Sequence, residues 1–215
     1  MIDTLIFDFD GTLMDTNNVI IQSWQQVYRK YTGHDGDMDY ILSTFGEPLE
    51  ESMENAFPDV PVDESVDTYR TWHSEHYWDM IELFPEIAEM LKEAKSRGYK
   101  LAIATSRMEQ TLYLGLEKYN LTNLFDTIVT VEEVVNHKPE PDCLLKVLEK
   151  LDVPPERAVM VGDSRLDMMC AHNAGVKAIL VGWSITVTER DFSDTPALEI
   201  PDSIIETPMD IFNVI

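Results

Sequence analysis

The chain has 215 residues, enough for one sizeable hydrophobic core and a smaller second lobe. Apolar residues make up 44% and aromatic residues 9%, an ordinary globular composition that excludes disorder. A net charge of −24 and a pI of about 4.3 exclude a general basic surface, so no nucleic-acid and no anionic-membrane partner is expected.

In chain order, the first predicted element is a strand, "TLIFDF" at 4–9, whose apolar run ends in two carboxylates, Asp8 and Asp10, followed by Gly11. Residues 17–80 contain no convincing strand. They show helical spacing instead, as with Trp24, Val27, Tyr28 and Tyr31, and a loop-like "FGEPLEE". In "FPEIAEMLKEAKSRG", Pro85 suits a first turn, Ile87, Met90, Leu91 and Ala94 form one face, and Lys95, Arg97 and Gly98 supply the stop. Strands "KLAIAT" (100–105), "DTIVTV" (126–131), "AVMVGD" (158–163) and "KAILVG" (177–182) then alternate with helical patterns at 108–119, 141–151 and 165–174. The tail from about 184, "SITVTERDFSDTPALEIPDS", is turn-rich and is assigned a peripheral position, with "DSIIE" as one more short edge strand.

Strand followed by helix, repeated, implies an α/β fold with a Rossmann-like parallel sheet and right-handed crossovers. Residues 1–16 and 82–215 would form this core, and 17–81 a helical insert. Cys143 and Cys170 lack a CxxC spacing and read as two buried, reduced thiols. No apolar run approaches the ~18 residues of a membrane span. The N-terminus goes directly into "MIDTLIFDFDGT", with no basic region and apolar stretch, so a cytoplasmic protein is expected.

In open parallel sheets, ligands bind outside the carboxyl ends of the strands. That rim would hold Asp8 and Asp10 after the first strand, Thr105 and Ser106 after the second, Gly162 and Asp163 after the fourth, and Lys138 in the loop after the third. Carboxylates so close together call for a divalent cation, and hard oxygen ligands favour Mg²⁺. Singly, each residue has a local reading: Asp10-Gly11 is a common turn dipeptide, and Asp163-Ser164 suits a helix cap. As a set on one rim they point to catalysis. Arg107 and Arg165 are expected to be solvated cations near the site.

These motifs resemble the haloacid dehalogenase superfamily of phosphohydrolases. Its first signature is matched by Asp8, Asp10, Gly11 and Thr12 in "DFDGT", its second by Thr105 in "LAIATS", its third by Lys138 in "HKPEPD", and its fourth by Asp163 and Asp167 in "GDSRLD". The resemblance implies that Asp8 is the nucleophile and forms an aspartyl phosphate. It implies that Asp10 protonates the leaving oxygen and then deprotonates the attacking water. Mg²⁺ would be held by Asp8, Asp163 and the backbone carbonyl of Asp10, while Thr105, the amide of Ser106 and Lys138 would hold the phosphoryl oxygens. Asp167 would orient the groups around the metal rather than ligate it.

By the same resemblance the insert corresponds to a helical cap, with hinges near Asp15 to Asn17 and Glu82 to Pro85. Trp72, His73, His76 and Trp78 are expected to pack within it. The stretches "FGEPL" and "YRTWHSEHY" look most like the phosphoglycolate phosphatase and pyrophosphatase branch, although Glu47 would repel an anionic leaving group. The substrate implied is a small phosphorylated metabolite, either a phosphate ester or pyrophosphate, acted on by a monomer or homodimer. A β-phosphoglucomutase-like phosphotransferase is the alternative, and a receiver-like phosphorylation switch a third.

Overall fold

The structure is a computed structural model and describes residues 1–45, 47–186, 192 and 195–215. Strands β1 (Thr4–Phe7) and β2 (Met14–Asp15) precede four helices, α1 (Asn17–Thr32), α2 (Met38–Ser43), α3 (Leu49–Ala56) and α4 (Val62–Met80). After β3 (Glu82–Leu83) the chain alternates through α5 (Ile87–Ser96), β4 (Lys100–Ala104), α6 (Glu109–Lys118), β5 (Thr127–Val129), α7 (Asp142–Leu151), β6 (Ala158–Gly162), α8 (Arg165–Asn173) and β7 (Lys177–Val181). It finishes with β8 (Ser203–Ile205) and α9 (Ile211–Val214). Two compact units result: Met1–Asp15 with Leu83–Ile215, and Thr16–Glu82.

The first unit is built on a parallel sheet in the order β5-β4-β1-β6-β7-β8. Its register sets Phe7 beside both Ile103 and Val161. Helices cover the sheet, which is why β1, β4 and β6 are apolar at nearly every position: Leu5, Ile6, Leu101, Ile103, Val159 and Met160 are all fully buried. Helix α7 contributes Cys143, Leu144, Val147 and Leu148 to this core, and α8 contributes Met168, Cys170 and Ala171. The two cysteines are free and buried, as their sequence context suggests. From β1 the chain proceeds to β4 and β5 on one side, then crosses to β6, β7 and β8 on the other. The carboxyl end of β1 therefore lies at the switch point of the sheet, where such folds open a crevice.

Two local differences from the sequence reading have clear causes. Pro85 is not in the first turn of α5, because Glu86 adopts a left-handed conformation (φ 64°) and the helix begins only at Ile87. The tail is not wholly peripheral: Ser184 is buried at the sheet's rim, drawn there by a hydrogen bond described below. The "DSIIE" segment does form the edge strand β8, parallel to β7. Residues 187–191 and 193–194 of the tail lie outside the described residues.

The second unit is helical and has its own core. Trp24, Val27, Ile41, Met53, Phe57, Val66 and Tyr69 pack together, with the Trp24 ring edge-on to Tyr69 at 6.2 Å. Gln25 ties the connection after α1 in place by donating to the Gly36 carbonyl (3.2 Å) and accepting from its amide (2.7 Å). His73 stacks between Tyr69 and Tyr77, and Trp72 stacks on His76 with ring centroids 4.0 Å apart, which is packing within the unit. Trp78 departs from that expectation, being about half exposed because it falls on the outer side of α4. In the loop "FGEPL", Gly46 lies outside the described residues, and Glu47 accepts from Ser52 Oγ (3.2 Å) at the start of α3. Among the described residues, no helix is long and apolar enough to cross a membrane.

Candidate active site

The site starts at the last residue pairing of β1. The Asp8 amide donates to the Val161 carbonyl (2.9 Å), fixing Asp8 between β1 and β6. The chain then turns sharply, with Leu13 and Met14 amides both donating to the Phe9 carbonyl (3.0 and 2.9 Å) and the Gly11 amide to Met14 O (2.9 Å). Gly11 takes φ +71°, and a Cβ there would collide with the Asp163 carboxylate. Only glycine meets both demands. Gly162 has a similar role at the end of β6, where a Cβ would run into the Asp167 side chain. These glycines let the carboxylates crowd together.

Asp8, Asp163 and Asp167 each offer a carboxylate oxygen, and the three lie within 4.8 Å of one another. Lys138, from the loop between β5 and α7, enters the cluster with its side chain only 5% exposed. Its ammonium donates to Asp8 Oδ1 (3.0 Å) and Asp167 Oδ1 (2.7 Å). Burial alone would lower the Lys138 pKa, but the facing charges of Asp167 and Asp8 outweigh it and hold the ammonium well above its ordinary value.

The remaining atoms of Asp167 are engaged as well. Oδ2 accepts from the Ser164 amide (3.1 Å) and hydroxyl (2.7 Å), and Ser164 Oγ accepts from the Asp167 amide, a reciprocal cap on α8. With one oxygen on the cap and the other on Lys138, Asp167 is suited to orient its neighbours. Asp163 is held from β7's exit: Ser184 Oγ and Thr186 Oγ1 both donate to its Oδ2 at 2.7 Å. Asp8 and Asp163 nonetheless suffer from burial. Desolvation, reinforced by neighbouring carboxylates and opposed by Lys138 at Asp8, pushes Asp8 up to about 7. Desolvation, with the charges of Asp167 and Asp8 and against the two hydroxyl hydrogen bonds, pushes Asp163 to about 7 too. A buried all-oxygen cluster strained in this way suits a hard divalent cation, so the residues present fit Mg²⁺.

Asp10 lies outside the three-carboxylate cluster. Its side chain is gripped by Arg107, whose Nε donates to Oδ1 (3.0 Å) and Oδ2 (2.8 Å) and whose Nη2 donates to Oδ1 (2.5 Å). The Arg107 side chain is 8% exposed. This corrects the expectation of a solvated cation: a carboxylate across the rim supplies a partner for a guanidinium that would otherwise be costly to bury. Arg165 is exposed, as expected. Thr105 is buried at the end of β4, its amide bonded to Val129 O (3.1 Å) and its hydroxyl accepting from the Arg107 amide (3.1 Å), while Ser106 is exposed.

The fold thus gathers Asp8, Asp10, Thr105, Ser106, Lys138, Asp163 and Asp167 onto the carboxyl rim of one sheet. A model of the haloacid dehalogenase-like hydrolase family matches residues 5–181, which include all of them. The chain belongs to the haloacid dehalogenase-like hydrolases. It is 35% identical over 184 residues to the pyrophosphatase PpaX of Bacillus cereus (strain B4264), spanning 86% of this chain and 85% of that protein. It is 32% identical over 214 residues to PpaX of Bacillus anthracis (strain CDC 684 / NRRL 3495), spanning 100% of this chain and 96% of that one. A haloacid dehalogenase-like family hydrolase from Streptococcus pneumoniae shares the fold, with a TM-score of 0.84 at 24% identity over 99% of this chain and 97% of that chain. Within the haloacid dehalogenase-like hydrolases, the chain is a phosphohydrolase with an inserted helical cap, related to the PpaX pyrophosphatases.

Sequence reasoning missed Arg107, Ser184 and Thr186. For Arg107 the available signal was its place two residues after Thr105. For the two hydroxyls there was only their position just beyond a predicted strand end.

Proposed function

We propose that the protein is a Mg²⁺-dependent phosphatase that cleaves pyrophosphate or a small phosphate ester through a phosphorylated Asp8. The observation that carries this reading is the environment of Asp8. It is a carboxylate fixed at the switch point of the sheet, with the Lys138 ammonium 3.0 Å away and two further carboxylates at hand. The similarity to the Bacillus pyrophosphatases supports the choice of substrate. The helical residues 17–81 serve as the cap, and the remainder as the catalytic core.

In this mechanism an Asp8 oxygen attacks the phosphorus and the bond to the leaving oxygen breaks. Asp10 delivers a proton to that oxygen. It then takes a proton from a water that attacks the phosphorus of the acyl phosphate, releasing phosphate and restoring Asp8. Lys138, the Thr105 hydroxyl and the Ser106 amide hold the phosphoryl oxygens. Mg²⁺, held by Asp8, Asp163 and the backbone carbonyl of Asp10, would supply the charge compensation that lets an anionic nucleophile meet an anionic substrate. Lys138 remains charged throughout, kept so by Asp167.

The test is phosphate release from pyrophosphate, phosphoglycolate and sugar monophosphates, with Mg²⁺ and with excess chelator. Pyrophosphate is expected to show the highest kcat/KM, and activity should vanish with chelator. Undiminished turnover in chelator would overturn the mechanism. A requirement for catalytic sugar bisphosphate would replace the hydrolase by a mutase.

A further inference from the structure

Arg107 is more firmly built in than a solvated loop arginine. Its amide donates to Thr105 Oγ1 (3.1 Å), its carbonyl accepts from the Val131 amide (3.3 Å), and its guanidinium lies 5.8 Å from the centroid of the Phe9 ring. Three hydrogen bonds join it to Asp10. A guanidinium has donors only, so both Asp10 oxygens, as held, accept from Arg107. For Asp10 to act, this fork must let go. The same fork matches a phosphate or carboxylate anion as well as it matches Asp10. A leaving oxygen within about 2.6–3.2 Å of Asp10 would also bring the rest of the leaving group beside the guanidinium.

We propose that Arg107 determines specificity by exchanging Asp10 for an anionic group on the leaving side of the scissile bond, so that such a substrate both binds the fork and frees Asp10. A diphosphate satisfies this best, because its leaving group is itself a phosphate. A substrate without a second anionic group leaves the fork on Asp10. The inference rests on the phosphatase reading above and adds the class of leaving group.

The test compares pyrophosphate with p-nitrophenyl phosphate, which carries no second anionic group, at saturating Mg²⁺. Arg107→Met keeps the stem that packs near Phe9 and removes the fork. We expect its kcat/KM on pyrophosphate to fall about 100-fold or more relative to that on the aryl ester, the scale of losing a charge-assisted bidentate contact. Arg107→Lys keeps the charge without the fork and should recover part of the difference, which also guards against a folding defect in the methionine variant. Calorimetry in an Asp8→Asn background gives a second readout: Arg107→Met should weaken inorganic pyrophosphate binding about 10-fold or more and leave inorganic phosphate nearly unchanged. Equal losses on both substrates, or equal losses for both anions, would overturn the exchange and leave the phosphatase reading intact. If the unmodified protein hydrolysed no phosphorylated compound, both would fall together.

Discussion

Lys138 and Asp167 form a buried ion pair, with Nζ 2.7 Å from Oδ1 and the two side chains 5% and 1% exposed. The same carboxylate caps α8 through Ser164. Removing one partner of a buried pair strands the other, which costs about 3–5 kcal/mol, whereas losing a helix cap alone costs about 0.5–2 kcal/mol. Asp167→Ala should therefore lower the urea midpoint distinctly more than Ser164→Ala does. Equal shifts would reduce Asp167 to a capping residue.

The metal-free protein should lose stability as pH rises from about 4 to about 7. Asp8 and Asp163 are held near 7 in the fold, against about 3.8 when unfolded, so the native state keeps protons in that window that the unfolded chain has released. Above it, both carboxylates must ionise where burial and their neighbours penalise charge. A bound cation reverses the penalty, so the rise in melting temperature on adding Mg²⁺ should be small near about pH 5 and large near about pH 8. Thermal scans with Mg²⁺ or chelator across that range measure it. A Mg²⁺ effect that does not grow with pH would contradict the cluster's role.

Ser184→Ala removes one of the two hydroxyls that hold Asp163 Oδ2. Partners that orient a metal ligand are typically worth about 10–100-fold in metal affinity. The half-saturating Mg²⁺ concentration should therefore rise by about that factor, with the rate at saturating Mg²⁺ less affected. An unchanged Mg²⁺ requirement would show that Ser184 only fills space.

The contrast between Asp163 and Ser184 shows what the sequence could disclose. Strands β1, β4 and β6 are readable because both faces are covered, so nearly every residue is apolar, and the apolar runs of β1 and β4 give way directly to Asp8 and Thr105, that of β6 to Asp163 after Gly162. Asp8, Thr105 and Asp163 are found simply by asking where those runs stop. Ser184 acquires its meaning only because β7 lies beside β6, which brings it to Asp163 across 21 residues of sequence. Arg107 was misread for a related reason. A cation in a loop is usually solvated, and its burial here depends on Asp10, 97 residues away, arriving on the adjacent strand's rim. Glu86 is illegible in a third way, since a left-handed glutamate has no side-chain signature and delays α5 past the proline that would ordinarily open it.

The roles of Asp8 and Asp10 separate when each is replaced in turn. Asp8→Asn lacks the attacking oxygen, so it should form neither product nor phosphorylated protein. Asp10→Asn retains the nucleophile, and an activated aryl phosphate needs no proton on its leaving group, so the first transfer should proceed. The second should not, because no base remains to activate water. Phosphorylated protein should then accumulate on Asp10→Asn alone, visible by rapid acid quench and intact-mass analysis as one added phosphoryl group. The substitution also disturbs the Arg107 fork, because an amide presents a single acceptor oxygen where the carboxylate now takes three hydrogen bonds. A double variant, Asp10→Asn with Arg107→Met, distinguishes the two effects: loss of the base leaves it phosphorylated, whereas a loose fork as the sole defect would be silent once the fork is gone. Normal turnover by Asp8→Asn would remove Asp8 as nucleophile. Persistence of phosphate for minutes on the unmodified protein would mean that Asp10 does not serve the water step, and would favour a phosphorylation switch over a phosphatase.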